Sequence, residues 1–479
     1  MKTATKIAKN SFFLLLTNII EILSTLTITI CIARCWKITE FGQYSFVIAF
    51  TGLFLCISTL GMHILITREA ARDKSKVIKY ANNAFGLGIF LAVLTFLLIF
   101  LITALLHYSQ TLKIAILLAS LYIIVISFSY FLRGAFYAFE RMEYETIALL
   151  VEKVFVVTLA LSLVLIWHKG LIDIVAVILG GKILNLLTSY IIYSKKIGRI
   201  KIERDIVFWR FLLRKSLPFG LNILLSTVYI RIGIVMLTWI KGAGATGLYK
   251  AGFVLITNLS LIAIILNTSL FPLMSRSYKT SRDSLIFSIR KSLEYLFAIG
   301  FPLAIAIGLL AERIVSLLYS TKYLEAVPVL QILILLIPFR LMNNTFVNSL
   351  TSIDKQQVRT TIVAISTFLI IVLNLLLIPI KGAIGASIAA LSTEIVLFAS
   401  AYFCLSKFLW KVPIVQIIKK SALPGLVMGL YIFFAKPLNL VLLIPSAIVI
   451  YLILLYLLKG ITQEDINIFK QAILIEKGV

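Results

Sequence analysis

Charge is scarce in this chain, and negative charge scarcer still: only 14% of the 479 residues are charged, 20 acidic against 46 basic. With 61% hydrophobic residues and a mean hydropathy of +1.06, the chain carries more apolar surface than a soluble core of this length can bury. That excludes an ordinary globular domain and makes lipid the natural solvent. Cysteine is almost absent: Cys31, Cys35, Cys56 and Cys404 lie in or beside apolar runs without a CxxC pair. The three histidines, His63, His107 and His168, are more than 40 residues apart. No zinc-ligand spacing emerges, so neither a metal nor a cofactor is expected.

What the chain does have is a succession of apolar runs, each long enough to span a hydrocarbon core of roughly 30 Å, which takes about 20 helical residues. The first six are expected over 11–33, 41–66, 82–106, 112–137, 146–167 and 171–193. The next six cover 216–240, 247–274, 293–311, 327–350, 360–380 and 384–409, with shorter runs at 421–435 and 437–458. The basic opening MKTATKIAKN precedes a run long enough to span and lacks a small-residue cleavage site after it, so it reads as an uncleaved first span. The expected fold class is an all-α integral membrane protein of about 14 transmembrane helices.

An excess of 26 positive charges raises the question of nucleic acid, and the position of each base answers it. Thirty-two lie in the termini and even-numbered loops, ten in the odd-numbered loops and four within spans. This alternation is the positive-inside rule and puts both termini in the cytoplasm; nucleic-acid binding is not needed to explain it. The densest cluster, Lys195 to Lys215, sets eight bases among Ile206, Val207, Phe208, Trp209 and Phe211. It reads either as an amphipathic segment on anionic lipid or as a solvated linker.

That loop divides the chain into comparable halves. An offset of 205 residues sets Lys9, Asn10 and Ser11 against Arg214, Lys215 and Ser216, then Gly42 and Tyr44 against Gly247 and Tyr249. Six spans per repeat is an even number, so both halves run in one direction. Such parallel halves, around a central cavity, are a transporter architecture. The expected organisation is an N-terminal six-helix half (1–194), a basic amphipathic linker (195–215), a second six-helix half (216–410), and a C-terminal helix pair with a tail (411–479).

Charged groups inside spans cost at least about 2.5–3.5 kcal/mol each on insertion scales, so they mark cavities or partners. Lys182, Asn185 and Ser189 form a stripe on span six; Arg340, Asn344 and Asn348 form another on span ten. Span seven carries Asn222, Ser226, Thr227 and Arg231, and span one Thr17, Asn18, Glu21, Ser24 and Thr25. Span five has adjacent Glu152 and Lys153, and span twelve Glu394. Mutual pairing that only holds helices together is the plain alternative, strongest for Glu152 and Lys153. Bases beside amides and hydroxyls on separate helices point instead to a hydrated, anion-attracting cavity. The candidate substrate-binding residues are Lys153, Lys182, Asn185, Asn222, Arg231, Arg340 and Asn344; Glu21 and Glu394 are the ion-coupling candidates. Pro218, Pro302 and Pro338 interrupt the hydrogen-bond ladder within or at the start of spans and permit bending.

The turn Thr39-Glu-Phe-Gly-Gln-Tyr44 after the first span, the stretches GMHILITREAAR from Gly61 to Arg72 and FPLMSR from Phe271 to Arg276, the run ERIVSLLYSTKY from Glu312 to Tyr323, and GAIGASIAALSTE from Gly382 to Glu394 occur in an informative order. Together they resemble the Wzx-type polysaccharide transporters, a branch of the superfamily that includes multidrug exporters and the lipid II flippase. Twelve spans are usual for that branch and fourteen for its relatives. The resemblance implies flipping of a polyprenyl-diphosphate-linked oligosaccharide, for O-antigen or another surface glycan. It places the protein in the bacterial cytoplasmic (inner) membrane, with contacts to glycan-assembly proteins and a returning proton or sodium ion as candidate partners.

A cation-coupled multidrug exporter is the nearer alternative, but its site should be acidic or aromatic, whereas these spans read basic. A membrane glycan polymerase or glycosyltransferase would need a sizeable extracytoplasmic loop and acidic catalytic groups. The odd-numbered loops are mostly short and carry no D-x-D pair, so an enzyme is not expected.

Overall fold

The computed structural model describes residues 2–264, 266–267, 274, 277–278, 281–458 and 460, with side chains from residue 9 onward. Of the stretch Phe271 to Arg276 only Met274 falls among them, and the tail beyond 460 lies outside them. The described residues are mostly helical, and no strand occurs among them. In hydrocarbon every backbone amide must find its partner within its own segment, and the helix is the solution open to a single run of apolar residues.

Among the described residues twelve helical stretches are long and apolar enough to cross a membrane. Ten are single spans: Lys9–Cys35, Ile38–Thr59, Lys74–Leu105, Gln110–Ala138, Met142–Leu165, Leu171–Lys196, Arg282–Leu309, Thr321–Ser352, Ile414–Phe434 and Leu440–Leu457. The other two, Ile206–Ile264 and Gln356–Phe408, are double-length, and each is broken at one non-helical glycine, Gly242 (φ 85°) and Gly382 (φ 54°). Two breaks in twelve stretches give fourteen spans, as the apolar runs predict.

Both breaks are reversals of the chain. In a continuous helix, residues eight apart are about 12 Å apart along the axis. Yet the hydroxyls of Thr238 and Thr246 lie 2.8 Å apart, and a methyl on Gly385 would overlap the Leu377 carbonyl. Positive φ at the turn is what glycine supplies without a Cβ penalty. Serine and asparagine close other helix starts: Ser109 accepts from the Leu112 amide and Asn439 from that of Val441.

Span two is discontinuous. It runs Ile38–Leu53, Leu55–Thr59 and Met62–Arg72, and turns at Leu60 and Gly61, both left-handed with φ 43° and 72°. The basic segment before span seven is pinned from the side of span three. The Glu203 carboxylate accepts from Asn82 (2.8 Å) and Asn83 (2.7 Å), and the Lys201 amide donates to Asn82 Oδ1. Phe208, Trp209 and Leu212 then pack on a core of Met62, Leu65, Tyr80, Leu87 and Phe131, whereas Ile206 and Val207 stay exposed.

By packing, the chain forms two compact units. The first comprises Met1–Val254, Leu318–Tyr323 and Val363–Ala389; the second comprises Leu255–Leu317, Leu324–Ile362 and Ala390–Val479.

Candidate functional site

The first unit encloses a cavity of about 370 Å³ whose lining mixes charge, amides and aromatic rings. Span four supplies one continuous face of it. Tyr122, Ile126, Tyr130, Arg133 and Tyr137 recur at steps of four, four, three and four and all line the cavity. Span one contributes Thr17, Asn18 and Glu21, span six Lys182, Asn185 and Ser189, and span seven Arg231. Thr17 and Thr146 join spans one and five through a 2.8 Å hydroxyl contact beside it.

The charges in this unit are connected in two groups. Lys182 Nζ sits 2.6 Å from Glu152 Oε2; Lys153 lies 3.5 Å from Glu152 and 3.1 Å from Glu21. These four residues form a chain of alternating sign from span six through span five to span one, so Lys153 joins the site through Glu21 rather than by lining the cavity. At the other group Arg133 pairs with Glu145 at 3.0 Å, and its guanidinium stacks 4.1 Å from the centre of the Tyr130 ring. The second Glu145 oxygen is buried without a hydrogen-bond partner.

Arg231 differs from all of these. Its guanidinium donates to the Ile48 carbonyl of span two at 2.6 Å, and no carboxylate pairs with it among the described residues. Another base, Lys250, faces it across the Gly242 hairpin, so like charges repel there. Lys250 itself makes no ion pair or hydrogen bond among the described residues. Asn222, about two and a half turns before Arg231 on span seven, donates to the Pro218 carbonyl and does not line the cavity.

The remaining expected residues belong to the second unit. Arg340 holds Glu394 Oε2 at 2.9 Å and Asn343 donates to Oε1 at 2.7 Å. Asn344 accepts from Asn348 at 2.9 Å. Beside this network, Ser292, Thr345 and the buried Asn267 share hydrogen bonds of 2.8–3.3 Å. Glu294 gathers Lys420, Arg290 and Lys291 at 2.9, 3.1 and 3.9 Å. A groove of about 220 Å³ in this unit is lined by apolar side chains, among them Pro302, Leu303, Met428 and Leu443, and by Tyr451.

Sequence reading passed over Arg133, Glu145, the tyrosines of span four, Lys250 and Asn343. Arg133 and Lys250 stand within a turn or two of the ends of the expected spans 112–137 and 247–274. The helical spacing of Tyr122, Tyr130, Arg133 and Tyr137 was the available signal.

What such a site can do chemically is bind a polar, anionic solute. Ion pairs and tyrosines offer donors and acceptors on several sides, and the one uncompensated guanidinium adds a fork that matches phosphate or carboxylate oxygens.

The fold is that of solved membrane transporters. It matches the lipid II flippase MurJ in an inward closed conformation with a TM-score of 0.78, at 15% identity over 96% of this chain and 99% of that one. An inward-facing multidrug resistance MATE family transporter of the MOP superfamily gives 0.65, at 14% identity over 80% and 94%. A MOP superfamily transporter from Pyrococcus furiosus gives 0.60, at 14% identity over 84% and 95%. In sequence, an uncharacterized membrane protein of Methanocaldococcus jannaschii is 25% identical over 305 residues, which cover 62% of this chain and 60% of that relative. Residues 7–278, more than half of the chain, match the family described as polysaccharide biosynthesis proteins, and the chain belongs to that family.

Proposed function

We propose that the protein flips a polyprenyl-diphosphate-linked oligosaccharide, the repeat unit of O-antigen or another surface polysaccharide, across the bacterial cytoplasmic membrane by alternating access. The observation that carries this reading is Arg231: an uncompensated guanidinium on a polar cavity, in a member of a polysaccharide-biosynthesis family with a transporter fold. A sugar head cannot shed its water to cross hydrocarbon, because each unsatisfied polar group costs several kcal/mol. A hydrated cavity removes that cost while the polyprenyl tail stays in lipid.

In this reading Lys182, Asn185 and Arg231 meet the cargo. The alternating chain Lys182–Glu152–Lys153–Glu21 can exchange its internal pairs for contacts with the cargo, and Glu21 is the coupling candidate for a proton or sodium ion. The six-helix halves 1–194 and 216–410 carry the alternating movement, the pair from 411 onward is peripheral, and both termini are cytoplasmic by the loop-charge alternation. Outward movement of two phosphate charges against 100 mV, inside negative, gains roughly 4.6 kcal/mol at about 2.3 per charge.

The test is a vesicle assay with purified protein and a fluorescent, short-chain polyprenyl-diphosphate oligosaccharide, reading the label exposed to a membrane-impermeant quencher. Protein-dependent flipping that Arg231→Ala abolishes and Arg231→Lys retains in part is expected, since lysine keeps the charge but not the forked donors. Equal flipping by Arg231→Ala would overturn the cationic-site mechanism. A multidrug exporter is the second reading, and the tyrosine face of span four with Glu21 and Glu145 on the same cavity is the observation in its favour. Ethidium efflux by the same vesicles, without flipping of the oligosaccharide, would select it.

A further inference from the structure

Span two lies against the span seven–eight hairpin at three levels, at backbone distance on the outer two and against the Arg231 side chain on the middle one. A methyl on Gly42 would overlap the Ala243 carbonyl; one on Gly52 would overlap the Arg231 guanidinium; one on Gly61 would come within 2.6–2.8 Å of Phe219 Cβ and the Gly220 amide. The residues on span two rise as those opposite fall, so the helices run antiparallel along one seam. Side chains larger than hydrogen are absent from span two at each level, and the close approach depends on that.

Arg68 of span two stacks 5.2 Å over the Phe219 ring near the Gly61 level, and a charge-assisted hydrogen bond crosses the seam at the middle level. There Arg231 reaches over Gly52 to the Ile48 carbonyl, just before the break at Leu53–Phe54. The next level, Leu60–Gly61, is the left-handed turn, and Leu60 holds a conformation that side-chain-bearing residues rarely adopt. Among the described residues the Arg231–Ile48 bond is a charge-assisted fastening of the seam close to a strained turn, and a seam so built opens at that fastening.

We infer that Arg231 is a latch as well as a cargo contact: bound to the Ile48 carbonyl it holds span two on span seven, and an anionic group arriving in the cavity takes the guanidinium and releases the seam. This rests on the reading of the cavity as the cargo site. The competition is chemically direct, because a phosphate or carboxylate accepts a charge-assisted, two-pronged hydrogen bond where the carbonyl accepts a single one. Cargo binding would thereby be converted into bending at Leu60–Gly61 without any second messenger.

Cys56 reports on the seam, being buried between the Gly52 and Gly61 levels. In a Cys31→Ser, Cys35→Ser, Cys404→Ser background, the rate at which N-ethylmaleimide labels Cys56 is measured on purified protein in nanodiscs. Gly52→Ala keeps the charge of Arg231 but removes the room its guanidinium occupies, and the flexible end of the arginine yields before the backbone does. Its expected effect is roughly tenfold faster labelling, the factor that loss of one charge-assisted hydrogen bond gives. Arg231→Gln should show the same effect and serves as the reading if Gly52→Ala is not recovered folded. Inorganic pyrophosphate should accelerate labelling of the parent but not of Gly52→Ala, with chloride at equal ionic strength as control. Labelling of both variants at the parental rate, or a parent indifferent to pyrophosphate, overturns the latch. The thiol rate needs no lipid-linked cargo, so failure of the flippase reading would show in the vesicle assay alone and be told apart from failure here.

Discussion

The two packed units treat buried charge differently. In the second unit each buried carboxylate is held by cations: Glu394 by Arg340 with Asn343 on its other oxygen, and Glu294 by Lys420, Arg290 and Lys291. In the first, the ion pairs border a cavity and one arginine is fastened to a carbonyl only. A paired buried charge contributes mainly by not being left alone, since breaking such a pair is far more damaging than replacing it whole. An uncompensated one beside a cavity contributes little to the resting structure and is free to meet a ligand. The teaching of the contrast is that stability and transport should separate residue by residue.

The sharpest way to break this contrast is Arg340→Ala. It leaves Glu394, 3% exposed, without its cation and should cost about 3–5 kcal/mol. Folded protein recovered by size-exclusion chromatography should fall steeply and be largely restored by adding Glu394→Gln. If abundance stays normal and only flipping is lost, Arg340 acts on cargo and the contrast fails. Glu152→Gln comes next: Lys182 keeps a neutral acceptor in place of a carboxylate, for a loss of about 1.5–3 kcal/mol read as a lower melting temperature. Arg231→Ala removes a single charge-assisted bond to a carbonyl and should cost about 1.4 kcal/mol, the equivalent of a factor of about ten, even though flipping is abolished. The smallest effect belongs to Asn374→Leu. Neither amide atom of this buried side chain has a partner, so an apolar replacement should be neutral or stabilising by about 1 kcal/mol, a small rise in melting temperature.

The spans were legible because hydrophobic length is a local property. Span six was expected over 171–193 and runs Leu171–Lys196; span four was expected over 112–137 and runs Gln110–Ala138. The loops were less so: gaps of several residues were expected around 240–247 and 380–384, whereas each connection turns on one glycine. The short repeated words Ile240-Lys-Gly-Ala and Ile380-Lys-Gly-Ala carried that signal. Partner choice was not legible. Of the stripe Arg340, Asn344, Asn348 only Arg340 is seen to pair with Glu394 among the described residues, and the amide that joins it there is Asn343 rather than Asn344, because which side of a helix meets an acid about 50 residues away is decided by packing. Gly42 and Gly247, which the 205-residue offset sets against each other, pack together, with Gly42's Cβ position 3.0 Å from the Gly247 amide.

The one-residue turns at Gly242 and Gly382 bear on how the chain enters the membrane during synthesis. A span with a long tether can be threaded first and wait for its neighbour, but a helix joined to the next by a single glycine has nowhere to pause. Spans seven and eight, and likewise eleven and twelve, are therefore expected to enter the membrane as hairpins, with Lys241 and Lys381 at their tips. Assembly would then stall at these two hairpins if either partner were late, and lengthening the turn by a few flexible residues would relieve the coupling between the two helices.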